Sequence, residues 1–224
     1  MDNWFGGDAV AFAVVLVIFF DYFSHGSSVE PVKDGLFHSV LMAILSTIVI
    51  GFAIQVCQDN WTHCPQWLYQ MLHTLYGIGI LTILYLWLLF TQENIAEGLS
   101  AQYPFRRLSG LLIGILGIGL VADMSGVSSA FPHAKQCVLH LLAFGWIVAI
   151  LSQVVCKRSE LSAQMTRVLF LLPLFIWTAL LVRTGTRSFQ IVSLALSVSV
   201  MITHLFTQNH RISADRLTGA LTRT

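Results

Sequence analysis

The sequence has 224 residues, of which 56% are hydrophobic and 10% are charged, and its formal net charge is +1. Soluble globular domains are about 45–50% apolar and about 25% charged, so the composition excludes that class, and it also excludes a disordered chain. The nearly neutral charge excludes a nucleic-acid binder that is held by a basic surface. The 4 cysteines lack the paired CxxC spacing of a zinc ribbon. An integral membrane protein remains, with the lipid bilayer as its first partner.

Apolar segments of the length that crosses a bilayer recur along the chain. A transmembrane helix needs about 20 mostly apolar residues. Such helices are predicted, in chain order, at 8–23, 36–56, 66–90, 107–122, 137–155, 167–182 and 189–206. The first is the weakest, because its uninterrupted apolar run has only 12 residues, 9–20. We therefore predict an all-α fold, a polytopic membrane helix bundle of seven transmembrane helices.

The basic residues predict how this bundle is oriented. Lys and Arg collect in cytoplasmic loops. With the N-terminus outside, nine of the 12 basic residues fall on the cytoplasmic side: Lys33, Arg106, Arg107, Lys157, Arg158, Arg167, Arg211, Arg216 and Arg223. The outer side then receives Lys135, Arg183 and Arg187. The predicted topology has the N-terminus outside and the C-terminus in the cytoplasm.

The most specific pattern lies at the C-terminal end, where 215–223 reads D-R-L-T-G-A-L-T-R. This D-x-L-T-G-x-x-[NT]-R pattern resembles the entry motif of GGDEF domains, the family of bacterial diguanylate cyclases. The matching positions are Asp215, Leu217, Thr218, Gly219 and Arg223. Thr222 is a frequent alternative to the family's Asn, whereas Thr224 replaces the second Arg that often ends the motif.

The resemblance implies a division of the chain into two parts. Residues 1–206 would form a transmembrane sensor bundle, and 207–224 the cytoplasmic linker helix and first residues of a GGDEF domain. In that family the entry motif is structural, so no catalytic residue is carried over, and the GGDEF signature itself does not occur in the 224 residues. We expect a sensory module that controls cyclic di-GMP synthesis by a domain outside this chain. That domain would use GTP and Mg²⁺, whereas this chain would need no cofactor and would lie in the bacterial inner membrane.

The segment before the motif carries a short heptad pattern. Val198, Leu205 and Ile212 recur every seven residues, and no Gly or Pro interrupts 189–213. A helix with apolar residues at this spacing can pair with a copy of itself. Two catalytic domains must meet to condense two GTP molecules in the family that the motif resembles. The pattern therefore predicts a homodimer.

Polar residues near the predicted outer surface form a candidate ligand site. Polar side chains inside membrane segments are costly and are functional candidates. The candidates are Gln70, His73, Asp123, His140 and Arg183. They could line a pocket for a small polar or anionic signal molecule. They could equally be interfacial residues that water and lipid headgroups satisfy.

A metal or haem site is an alternative for part of this set. If the fifth span starts at Pro132, then His133, Cys137 and His140 share one helical face, and His73 could add a fourth ligand. Imidazole and thiolate suit zinc or copper, and two histidines could ligate haem iron. A single stripe without a paired motif is a weak signal, so no metal is assigned.

Two further polar groups remain open to interpretation. Cys57 and Cys64 lie in or beside a predicted outer loop, where they could form a disulfide or remain thiols. Asp21, His38 and His204 lie toward the predicted cytoplasmic face. They could form a proton-sensitive or conformational relay, or be polar residues hydrogen-bonded between helices.

Other membrane protein classes fit the sequence less well. A retinal receptor needs a lysine deep in a span, but Lys33, Lys135 and Lys157 all lie in loops or at helix ends. Transporters often show inverted repeats and broken helices, and neither is clear here. A small membrane transporter or a membrane scaffold without catalytic output is the alternative function.

Overall fold

The described residues of the computed structural model are 6–24, 31–59, 64–95, 132–158, 163–186 and 189–221. They form helices, with no strand in these ranges: α1 (Gly6–Ser24), α2 (Pro31–Asp59), α3 (Gln66–Ile95), α4 (Pro132–Cys156), α5 (Ala163–Thr186) and α6 (Gln190–Leu221). Six of the predicted spans coincide with these helices to within one residue or lie inside them, which confirms the helical class. The predicted span 107–122 and Asp123 lie outside the described residues.

Among the described residues, three helical segments are long and apolar enough to cross a membrane, namely Gly35–Asp59, Gln66–Ile95 and Met165–Arg183. Shorter apolar helices cover His140–Cys156 and Gln190–Phe206, and α1 is in neither group. These lengths and compositions are those of a membrane protein.

Successive helices pack side by side, and α6 returns to pack against α1, so the six helices close a ring. Neighbouring α2 and α3 run antiparallel, because Gly51 faces Tyr76 at one end and Phe37 faces Phe90 at the other. We call these two ends the Asp8 end and the Asp21 end, after residues near the start and the finish of α1. In this ring α2 also contacts α6.

The direction of α5 fixes the direction of α4. Trp87 on α3 bonds to Leu169 near the start of α5, and Tyr76 lies under Arg183 near the end of α5, so α3 and α5 are antiparallel. The connection between α4 and α5 is only six residues, 157–162, and cannot span the length of a helix of about 37 Å. Consequently α3 ends at the Asp21 end of the bundle, whereas α4 begins at the Asp8 end.

Hydroxyl groups in the buried parts of α6 are satisfied within the helix itself. Ser197 Oγ donates to the Leu194 carbonyl at 2.9 Å, and Thr203 Oγ1 donates to the Ser199 carbonyl at 2.8 Å. Such bonds to the preceding turn allow polar side chains in an apolar helix without an interhelical partner. The hydroxyls of Ser197 and Thr203 therefore need no partner on another helix.

The helices α2 and α3 approach closely at Gly79, where an added Cβ would overlap Thr47. We expect Gly79→Ala to lower the free energy of unfolding by about 1–3 kcal/mol, the usual cost of overpacking. Replacing Thr47 by Ala in the same chain should recover most of this loss, because it removes the atoms that the new methyl group meets. Reversible unfolding in mixed detergent micelles measures both variants, and equal stability of Gly79→Ala and wild type would contradict the packing described.

Candidate functional site

Side chains from five helices converge at the Asp8 end of the bundle. We call this group the Asp8 cluster, and its members are Asp8, Gln55, His73, Tyr76, Arg183, Phe189, Gln190 and Ser193. Its polar members come from α1, α2, α3, α5 and α6. The cluster thus lies where the ends of most of the described helices meet.

Arg183 stacks on two aromatic rings of the cluster. Its Cζ atom lies 4.1 Å from the ring centroid of Phe189 and 4.8 Å from that of Tyr76. These rings meet edge to face, with centroids 5.0 Å apart. A guanidinium over aromatic faces gains cation–π stabilisation and keeps its N–H groups available at the edges. The positive charge near the end of α5 is therefore held against the Tyr76 and Phe189 rings.

His73 joins the same aromatic group from α3. Its ring lies 5.2 Å from Phe189 and 4.5 Å from Tyr69, in edge-to-face arrangements. Gln58 on α2 donates from Nε2 to the Tyr69 hydroxyl at 2.9 Å. The structure thus brings His73 and Arg183, two of the residues that the sequence singled out, into contact with the same Phe189 ring.

Asp8 introduces a negative charge on the side of the cluster nearest α6. The residue is only 1% exposed, and its carboxylate lies near the Ser193 side chain, whose hydroxyl donates to the Phe189 carbonyl. Gln190 also approaches this part of α1, since a Cβ at Gly7 would lie 3.3 Å from the Gln190 Oε1 atom. Asp8 and Arg183 both act electrostatically on the Tyr76 hydroxyl. The phenol is therefore within electrostatic range of both charges.

Several buried polar atoms of the cluster have no hydrogen-bond partner among the described residues. They are both carboxylate oxygens of Asp8, Oε1 of Gln55, the hydroxyl of Tyr76 and Nε2 of Gln190. Leaving a buried polar group unpaired costs about 1–3 kcal/mol, so such groups are rare and need an explanation. The Asp8 cluster thus holds buried donor and acceptor atoms that have no hydrogen-bond partner among the described residues.

Two of the remaining predicted site residues, Gln70 and His140, belong to described helices. Gln70 is half-buried on α3, one turn before Thr74, whose Oγ1 donates to the Gln70 carbonyl at 3.1 Å. His140 is half-buried on α4, which packs against α3. The side chains of His133 and Cys137 lie outside the described residues, as does Asp123. Within the described ranges, no group of three His, Cys, Asp or Glu side chains could hold a metal ion.

The two outer cysteines lie close together. Cys57 near the end of α2 and Cys64 before α3 are both free thiols, and their side chains interact. The structure has both residues as thiols, and their proximity keeps the candidate disulfide as an untested alternative.

A second polar contact occurs at the Asp21 end. His204 Nε2 lies 2.8 Å from Asp21 Oδ2, which joins α6 to α1. The Tyr22 ring packs near His204 at 6.3 Å, and His38 stacks on Phe19 at 5.1 Å between centroids. The three polar residues that the sequence placed near this face thus lie on adjacent helices, with Asp21 and His204 in direct contact.

Sequence reasoning left Asp8, Tyr76, Phe189 and Gln190 out of the candidate ligand site. A partial signal was present, because Asp8 is an acid at the start of an apolar segment and Tyr76 lies one turn after His73. Phe189 carried no such signal, since an aromatic residue at the start of a span is ordinary. Its role depends on which helix ends meet, and only the tertiary structure decides that.

Comparison with known proteins assigns no relative to the chain. No family model matches the sequence, and neither a curated protein nor a solved structure matches it.

Proposed function

We propose that this chain is the membrane sensor module of a bacterial diguanylate cyclase and that it controls a GGDEF domain beyond Thr224. In this proposal seven helices cross the inner membrane, with the Asp8 end outside and the Asp21 end in the cytoplasm. The chain itself carries no catalysis and passes a signal from the outer end of the bundle to the C-terminal motif.

The course of α6 is the observation that carries the proposal. This helix runs without interruption for 32 residues from Gln190 to Leu221. It begins beside the Asp8 cluster and continues through most of the stretch 215–223 that resembles the entry motif. At 1.5 Å per residue it is about 48 Å long, more than a bilayer core of about 30 Å. A continuous helix of this length links the Asp8 cluster directly to the C-terminal motif.

The positions of the helix ends support the proposed topology. The end of α3 and the start of α4 lie at opposite ends of the bundle. A segment between them that crosses the membrane once more meets this requirement, and the sequence predicts such a span at 107–122. Both ends of the chain then lie on the sides that the positive-inside rule assigns to them.

The outward face of α6 supports a homodimer. Val198 and Leu205, which belong to the heptad pattern, are 37% and 57% exposed on the outside of the bundle. Leu194 and Met201 on the same stripe are also exposed. An apolar stripe at this spacing suits pairing with α6 of a second copy, which would bring two output domains together.

A fusion protein tests whether α6 transmits a signal by rotating or shifting as one continuous helix. Residues 1–224 are joined to a soluble GGDEF domain at the shared D-x-L-T-G motif, and one to seven alanines are inserted after Gln208. Each insertion rotates the downstream part by about 100°. We expect cyclic di-GMP in cells to stay high with four or seven added residues, which restore the phase to within about 40°, and to fall with two or five.

The same insertions after Arg158, between α4 and α5, serve as the matched control and should leave the output unchanged. Output that ignores the insertion length after Gln208, or a fusion with no output at any length, would contradict the proposal. The gene offers a direct check as well. Its reading frame should continue from the Thr224 codon into a GGDEF sequence, and a stop codon there would exclude a cyclase sensor.

A further inference from the structure

We propose that the Asp8 cluster is a binding site for a small zwitterion that carries both an ammonium and a carboxylate, such as a free amino acid. The identification of this ligand as the signal rests on the proposed sensor function, whereas the binding itself does not. The buried Asp8 and the half-buried Arg183 have no ionic partner within the described part of the protein.

The two charges of the cluster are of opposite sign and are held apart. Asp8 is buried on α1, and Arg183 is half-buried near the end of α5 against Tyr76 and Phe189. Neither forms an ion pair with another described residue, and both act electrostatically on Tyr76. An unpaired charge in an apolar environment is costly, so each charge favours a ligand group of opposite sign. An ammonium suits Asp8, and a carboxylate suits the planar donor edge of Arg183.

The polar atoms near these charges complete such a site. The Tyr76 hydroxyl can donate or accept, and Gln190 offers a donor. Gln55 offers an acceptor one turn after Gly51, which faces Tyr76 and Phe189. All three atoms are buried and lack hydrogen-bond partners among the described residues. The Phe189 and Tyr76 rings supply an apolar surface for the carbon skeleton of the ligand. Few polar groups on a mostly apolar lining are typical of small-molecule sites.

A ligand of one charge would satisfy only half of this site. A simple anion would pair with Arg183 and leave the Asp8 carboxylate as a buried uncompensated charge, or repel it. A simple cation would do the reverse at Arg183. A zwitterion compensates both charges without changing the net charge of the site, which is the favourable outcome in a low-dielectric environment.

The position of the cluster explains how such a ligand could act on α6. Phe189 precedes α6 directly, Gln190 is its first residue, and Ser193 lies one turn further along. A ligand held between Asp8 and Arg183 would contact this start of the helix from both sides. Binding would therefore shift α6 relative to α1 and α5, which both pack against it.

Binding to the purified chain in nanodiscs of phosphatidylethanolamine and phosphatidylglycerol tests the inference. The standard L-amino acids, glycine betaine and taurine are screened by thermal shift, and each hit is titrated by calorimetry. The α-N-acetyl derivative and the α-carboxyl methyl ester of each amino-acid hit remove one charge at a time. We expect at least one zwitterion to bind and both of its derivatives to bind at least about tenfold more weakly, because each loses a charge-assisted contact.

Variants locate the site and separate binding from folding. Asp8→Asn and Arg183→Gln should each weaken binding of the zwitterion at least about tenfold, and Tyr76→Phe, which removes a single oxygen, should weaken it by about threefold to tenfold. Asp59→Asn and Arg158→Gln change the same residue types at exposed positions and should leave the affinity unchanged.

Three results would overturn the proposal. They are the absence of binding by any zwitterion in the screen, equal binding of a singly charged derivative, and full affinity in both Asp8→Asn and Tyr76→Phe. Because no cyclase domain takes part, these results do not depend on the sensor function. Conversely, binding without any effect on the fusion protein's output would contradict the sensor function and leave the zwitterion site intact.

Discussion

Trp87→Ala is expected to destabilise the bundle more than any other single truncation that we propose. Trp87 is fully buried on α3, and its Nε1 donates to the Leu169 carbonyl of α5 at 3.2 Å. Its ring also packs on Phe90 with centroids 5.2 Å apart. The truncation removes this packing, opens a cavity and leaves the α5 carbonyl without its side-chain donor. Lipid is as apolar as the core, so the loss is mainly one of packing, and we expect about 3 kcal/mol, the lower end of the range for buried aromatic residues.

The conservative variant separates the two contributions. Trp87→Phe keeps most of the apolar volume and removes the donor, so it should cost roughly 1–2 kcal/mol. Trp67→Ala is the matched control, because Trp67 is 63% exposed at the start of the same helix and should cost less than about 0.5 kcal/mol. Unfolding in mixed detergent micelles measures all three. If Trp87→Ala were no worse than Trp67→Ala, the packing of α3 against α5 described here would be wrong.

Breaking the contact between Asp21 and His204 is expected to have the largest effect on signal output. The contact fastens α6 to α1 near the Asp21 end, ahead of the stretch 207–221 that leads to the motif. Asp21→Ala leaves the largely buried His204 Nε2 without this acceptor, at a cost of about 1–3 kcal/mol. Released from α1 at this point, α6 should change the basal output of the fusion protein by several-fold.

A double-mutant cycle tests whether the two residues act through each other. Asp21→Ala and His204→Ala should each change the output and the stability in the same direction, and the double variant should be little worse than either single one. Contacting residues show coupling energies of about 0.5–3 kcal/mol. Strictly additive effects would show that the 2.8 Å contact does not couple α1 to α6. Asp59→Ala, on the exposed end of α2, is the control and should be neutral.

The local character of the chain could be predicted from the sequence. Long apolar runs define where helices form, because every backbone group in a bilayer must be hydrogen-bonded within its own segment. For this reason the predicted spans at 36–56 and 66–90 lie inside α2 and α3. The structure extends both helices beyond these bounds, since polar residues at the ends of a run can still continue a helix into the interface.

The candidate site could be predicted only in part. The cost of polar groups in an apolar segment pointed to His73 and Arg183, and the structure brings both to the Phe189 ring. The contact of Asp21 with His204 joins residues 183 positions apart, and the sequence could place them only near the same face. A contact between distant segments depends on the order and rotation of the helices, which hydrophobic periodicity does not specify.

The sequence by itself determined the membrane class, the helical architecture and a C-terminal motif whose resemblance points to cyclase control. These follow from composition, run length and fixed spacing, all of which are local properties. Only the tertiary structure decided that Asp8, Tyr76, Arg183 and Phe189 share one end of the bundle. The ring order of the helices sets which ends meet, and the close approach at Gly51, where a Cβ would lie 3.2 Å from Tyr76, sets how they pack. The charges of that cluster acquire their complementary pattern only when those helices have packed together.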